Sequence, residues 1–218
     1  VHDPGALIFR RHPLVVGVIR SPAALALPPA ACDLLEIRVD LLGSAAPWRA
    51  ASRSWRAAGR PVLFTARSAR EGGEWPGDEA ARQACYRGAL PDVSAVDVEL
   101  RCGWLADFLP AARAAGRPVI GSFHDFAATP SDAALDELVA EGRALGVDVI
   151  KVAAFLRESD DLDRLARLPA RFPGQRICVL GMGPRGPDSR IALPLAGSCL
   201  TYGFADIASA PGQVEVGE

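Results

Sequence analysis

A chain of 218 residues that is 50% hydrophobic and 23% charged, with a formal net charge of −2, fits one compact globular domain over residues 1–218. Its basic residues are dispersed, it has no apolar run long enough to span a membrane, and Val1 to Arg11 lack a secretory pattern. These features exclude a nucleic-acid or membrane partner and leave a cytoplasmic protein acting on a small molecule as the expectation. The cysteines Cys32, Cys85, Cys102, Cys178 and Cys199 stand singly without metal spacing and read as reduced thiols, with no metal expected.

In chain order, the first strand is predicted at Leu14 to Ile19 and the second at Leu34 to Val39. The second carries Glu36, Arg38 and then Asp40 at alternate positions, so these side chains share one side of the strand while Leu35, Ile37 and Val39 face the other. Charges turned into an interior must pair or bind something, because an unpaired buried charge is costly. A helix is predicted at Pro47 to Ala58, stopped by Gly59 and Pro61, and the third strand follows at Val62 to Ala66. The next loop runs through Arg67, Arg70, Glu71, Gly72, Gly73 and Glu74, a cation and a carboxylate on a glycine hinge that could close over a site.

A helix at Asp78 to Leu90 leads to a strand at Val96 to Leu100, and a helix at Leu105 to Ala115 ends at Gly116 and Pro118 as the earlier one ends at Gly59 and Pro61. The fifth strand, Val119 to Phe123, delivers His124, which titrates near neutrality and could move a proton. A helix at Ser131 to Leu145 precedes the sixth strand, Val149 to Ala153, which contains Lys151. Among 24 basic residues Lys151 is the single lysine, in an Arg-rich chain where arginine serves wherever only charge is wanted. Its surroundings are apolar, so desolvation is expected to favour the neutral amine that a nucleophile needs, a state arginine cannot reach.

After a helix at Asp161 to Leu168 come strands at Ile177 to Leu180 and Cys199 to Gly203. Gly181, Gly183 and Gly186 formally match a dinucleotide fingerprint, but Pro184 and Pro187 crowd the turn and only one strand remains, so no such cofactor is expected. A loop there suits an anionic group, with Arg190 close by to grip it. Eight strands alternating with helices favour an α/β fold of the closed (β/α)8 TIM barrel type over an open doubly wound sheet. Glu36, Arg38, Arg67, His124 and Lys151 lie within or just after several strands and would converge on one face.

Taken in order, Glu36-Ile-Arg38-Val-Asp40, Thr65-Ala-Arg67 with Glu71-Gly-Gly, Val96-Asp97-Val-Glu99, Ser122-Phe-His124-Asp-Phe with Thr129-Pro130, Ile150-Lys151-Val, Met182-Gly183, Ser189-Arg190, Gly197-Ser198 and Ser209-Ala-Pro-Gly-Gln213 resemble type I 3-dehydroquinate dehydratase. The resemblance implies that Lys151 forms an imine with the ketone of 3-dehydroquinate, that His124 shuttles protons and that Glu71 orients the histidine. It further implies that Glu36, Arg38, Arg67, Arg190, Ser209 and Gln213 hold the substrate, without cofactor, in the shikimate pathway of aromatic amino-acid biosynthesis.

That family usually continues with a helix after the Ala-Pro-Gly-Gln segment, whereas this chain stops at Glu218, so a short barrel without its last helix is expected, its bare flank buried in a homodimer. Two other readings share the residues. A class I aldolase uses the same lysine imine, and a catalytically dead sensor of shikimate-pathway metabolites would use the arginines without needing the amine.

Overall fold

The computed structural model describes residues 13–26, 31–43, 46–208 and 212–216. Its strands are β1 (Leu14–Ile19), β2 (Leu34–Arg38), β3 (Val62–Thr65), β4 (Ala95–Glu99), β5 (Val119–Asp125), β6 (Val149–Phe155), β7 (Ile177–Met182), β8 (Leu200–Phe204) and β9 (Val214–Glu215). Between them lie α1 (Pro22–Ala26), α2 (Val39–Leu42), α3 (Trp48–Ala57), α4 (Glu79–Ala89), α5 (Leu105–Ala114), α6 (Asp132–Leu145), α7 (Ser159–Arg171) and α8 (Gly186–Leu195). All pairings are parallel, in the order β7-β6-β5-β4-β3-β2-β1-β8-β9. This is the expected α/β barrel.

Period-two alternation sorts every strand into two apolar layers. Leu35, Ile37, Phe64, Val96, Val98, Ile150, Val152 and Val179 pack outward with helix residues such as Phe108, Leu138, Leu165 and Leu168. Leu14, Val16, Leu34, Leu63, Ala95, Ile120, Val149, Cys178 and Leu200 form a separate cluster inside the barrel. Each fully buried Leu, Ile or Val contributes about 1.5–3 kcal/mol, so the inner cluster stabilises the barrel from within. Two residues farther along the same inward faces the chemistry changes to Glu36, Thr65, Asp97, Ser122, Lys151 and Tyr202, all closed off from solvent or nearly so.

The barrel's ends meet between β7 and β8. There the Cys199 amide donates to the Ile177 carbonyl at 2.9 Å, and the Ser198 hydroxyl accepts from the Val179 amide at 2.9 Å. Farther up, β9 lies along β8, with Gly203 opposite Val214 and Phe204 opposite Glu215. Among the described residues no helix follows β8, and β9 takes up the last pairing edge.

Several expectations are corrected. The second strand ends at Arg38 rather than Val39, because Val39–Leu42 coils into α2 and brings Asp40 back over Arg38, Nε to Oδ1 2.9 Å and Nη2 to Oδ2 2.7 Å. Asp40 therefore belongs to a helical turn, not to the alternation of β2. The expected turn after β7 is there, at Gly183 to Arg185, and Arg190 follows it on α8, a helix not expected from the sequence; Pro187 in its first turn is a helix-start signal. The repeated stop at Gly59 and Gly116 is as expected: both have positive φ, 79° and 64°, and their amides bond Arg56 and Arg113 carbonyls at 3.0 and 2.9 Å.

Candidate active site

The C-terminal ends of the strands surround one cavity, lined by Glu36, Arg38, Arg67, Glu71, His124, Lys151, Arg190 and Gln213, together with Phe126, Leu180, Met182 and Tyr202. Ser209, the remaining residue expected there, lies outside the described residues. Residues up to 177 positions apart in sequence thus meet at one mouth, from Glu36 to Gln213.

Lys151 is the third residue of β6, in register with Ser122 and Cys178, so it sits one layer below His124 rather than at the strand end. It is 4% exposed. The expected apolar surroundings are corrected, since Nζ forms an ion pair with Asp97 Oδ2 at 2.8 Å and lies 4.1 Å from the centre of the Tyr202 ring. Asp97 is fully buried and also accepts from Arg67 Nη2 and Ser122 Oγ, both at 2.6 Å. Burial alone would push this carboxyl up, but the charges of Arg67 and Lys151 outweigh it and hold Asp97 well below the usual carboxylate range.

His124 and Glu71 form a second unit. His124 Nδ1 lies 2.9 Å from Glu71 Oε2, and the His124 amide donates to the same oxygen at 3.0 Å. The loop that supplies Glu71 folds back on β3: the Gly73 amide bonds the Ser68 carbonyl at 2.9 Å, and a Cβ at Gly73 would stand 2.1 Å from the Arg67 carbonyl oxygen. Only glycine fits that approach. Burial raises the Glu71 carboxyl to about 7 against the pull of Arg67. Burial, reinforced by the positive charges of Arg67 and Lys151, drives His124 well below its ordinary value. The imidazole is therefore neutral at physiological pH. When Glu71 is ionised, Nδ1–H donates to it and Nε2 has a free lone pair, the arrangement of a general base.

The cations differ in how much of their bonding is free. Arg67 is engaged by Asp97, by Ser122 Oγ at 2.7 Å and by Glu99 at 3.2 Å, and Arg38 is held by Asp40. Arg190 is buried, yet its Nε and Nη1 have no hydrogen-bond partner among the described residues, and burial lowers it to about 10. A buried guanidinium without a partner is a receptor for an anion. Glu36 accepts from Thr65 Oγ1 at 2.7 Å, which fixes its carboxylate at the cavity wall. Among the described residues no cluster of His, Cys, Asp and Glu is arranged to hold a metal.

Sequence reasoning assigned no role to Asp97 or Tyr202. For Asp97 the signal was available, because Asp97 and Glu99 alternate on β4 as Glu36 and Arg38 do on β2. It also missed the brace behind the site: Arg82 of α4 bonds Glu99 and the Ala66 carbonyl, and Tyr86 donates to the Asp97 carbonyl at 2.6 Å. A helix face at that spacing reads as ordinary amphipathicity, so nothing local marks it.

Comparison with known proteins points to one family. A family model described as Type I 3-dehydroquinase matches residues 22–218. A 3-dehydroquinate dehydratase of Methanosarcina barkeri is 37% identical over 171 residues, covering 73% of this chain and 70% of that protein. One of Thermodesulfovibrio yellowstonii is 30% identical over 214 residues, covering 96% and 94%. The crystal structure of the 3-dehydroquinate dehydratase from Geobacillus kaustophilus superposes with a TM-score of 0.86 at 26% identity, over 94% of this chain and 88% of that one.

Proposed function

The chain belongs to the type I 3-dehydroquinase family, and from that premise we propose that it dehydrates 3-dehydroquinate to 3-dehydroshikimate, in the shikimate pathway, through an imine on Lys151. The observation that carries this reading is a cavity shared by the chain's one lysine, a neutral histidine and an arginine whose Nε and Nη1 have no partner among the described residues.

In the proposed sequence Lys151 Nζ, its proton passed to a neighbouring base, attacks the ketone carbon, and the carbinolamine loses water to give an iminium. The iminium acidifies the adjacent C–H. His124 Nε2 removes that proton, with Glu71 holding Nδ1–H, and the enamine then expels the β-hydroxyl, which takes the proton from His124 and leaves as water. Hydrolysis returns the amine and releases the enone. Arg190 binds the substrate carboxylate, while Glu36, Arg38, Arg67, Gln213 and Ser209 hold its hydroxyls and frame the site. Asp97 stabilises whichever cation Lys151 carries, first ammonium and then iminium. No step in this sequence calls for a cofactor. Lysine, histidine and glutamate gathered in one pocket support catalysis rather than metabolite sensing, and elimination rather than aldol cleavage rests on the family.

The test is borohydride reduction with 3-dehydroquinate followed by peptide mass mapping. The expected adduct lies on Lys151, and Lys151→Arg abolishes formation of the ultraviolet-absorbing enone while leaving the fold intact. Dehydration without an adduct, or near-normal turnover by the arginine variant, defeats the mechanism.

We further propose a single catalytic domain in a reducing, cytoplasmic setting, working as a homodimer. Five cysteines, none of them in a disulfide, support the first part. Ile191 and Leu195, 70% and 85% exposed on α8, support the second, together with Ile207. A monomeric mass by light scattering at micromolar concentration would remove the dimer.

A further inference from the structure

Tyr202 is 4% exposed, stands on the inward face of β8 and lines the cavity, yet its hydroxyl has no hydrogen-bond partner among the described residues. Its ring lies 4.1 Å from Lys151 Nζ, and Glu36 is the charged group acting on it most strongly. A phenylalanine would supply the same ring without burying an unpaired oxygen. Leaving a donor unsatisfied costs the free protein stability, so the hydroxyl has no structural gain to account for it.

We infer that the Tyr202 hydroxyl is a specificity-determining group, donating a hydrogen bond to a ring hydroxyl of the substrate that Glu36 grips at the same time. A substrate hydroxyl has one proton to give and lone pairs to receive with. Glu36, fixed by Thr65, is the acceptor for that proton, and Tyr202, kept protonated by burial and by Glu36, is the donor to the lone pair. A site of paired donor and acceptor discriminates strongly against an analogue lacking the hydroxyl, since both partners are then left unsatisfied. The ligand class is thus a cyclic ketone with a hydroxyl close to the carbon that Lys151 attacks, which deepens the proposed function and rests on it.

The experiment is Tyr202→Phe, measured by steady-state kinetics with 3-dehydroquinate and by thermal unfolding without ligand. The expected result is a KM raised about tenfold, the value of one lost hydrogen bond, with kcat changed less than about threefold and a Tm equal to or above that of the unmodified protein. Inhibition by a deoxy analogue of the product, lacking the gripped hydroxyl, is expected to be the same for both proteins. An unchanged KM overturns the inference, and so does a lowered Tm, which would make the hydroxyl structural. Should the unmodified protein fail to dehydrate 3-dehydroquinate, the proposed function falls instead; normal turnover with an indifferent Phe variant removes this inference alone.

Discussion

Lys151 and Asp97 form a buried ion pair, Nζ to Oδ2 2.8 Å, with the carboxylate wholly closed to solvent and shared with Arg67 and Ser122. The proposed nucleophile thus rests beside a fixed negative charge that would cost no rearrangement on conversion of the amine to a cationic imine. Asp97→Asn leaves both Lys151 and Arg67 short of a counter-charge in a dry interior. The expected result is a loss of about 3–5 kcal/mol in stability by chemical denaturation, and a kcat lower by on the order of a hundredfold, as for removal of one preorganised electrostatic group. A fully active and equally stable Asn variant would contradict the role given to this pair.

Glu71 is expected to set the pH dependence of stability and rate. Its folded value is raised from 4.5 to about 7 by burial, so folded and unfolded chains both hold the proton in acid, and the unfolded chain ionises first as pH rises. Its contribution to stability is complete below pH 4.5 and is lost as pH climbs through about 7, in all about 3 kcal/mol. Glu71→Gln is therefore expected to have little stability advantage in acid and a higher Tm than the unmodified protein at pH 8. In the opposite direction, kcat/KM should rise through about pH 7 as ionised Glu71 pins Nδ1–H and frees Nε2. Persistence of that limb in the Gln variant would assign it to another group.

Among the described residues Arg190 has no partner for its Nε and Nη1, at the expense of the free protein. Arg190→Leu is expected to raise the Tm of the ligand-free protein while increasing KM by on the order of a hundredfold or more, as for loss of one side of a buried charge pair. In the unmodified protein, 3-dehydroshikimate should raise Tm in proportion to its saturation, and in the Leu variant that gain should vanish. Equal thermal shifts in the two proteins would place the carboxylate elsewhere.

Much of the barrel was legible because its outward strand faces are apolar runs of strand length, such as Val96 and Val98 or Ile150 and Val152, and because helices stop at Gly59 and Gly116 where only a left-handed residue fits. What was not legible was local geometry governed by a distant partner or by a competing bond. Val39 reads as the end of a strand, but Asp40 gains more by turning back onto Arg38. The helix around Arg190 was masked by three glycines and two prolines that also suit a loop, and β9 is too short to have a period.

By itself the sequence determined which atoms are chemically able to act: one lysine among 24 basic residues, one histidine beyond the N-terminal segment, and carboxylates and arginines at alternate strand positions that must face inward together. Those are properties of residue type and of the two-residue period. Only the tertiary structure decided the state in which each group rests. Lys151 is paired rather than bare because Asp97 arrives from a strand 54 positions away. His124 is neutral, and Arg190 Nε and Nη1 and the Tyr202 hydroxyl are unsatisfied among the described residues, because burial and neighbouring charges are sums over the whole barrel, which no stretch of sequence contains.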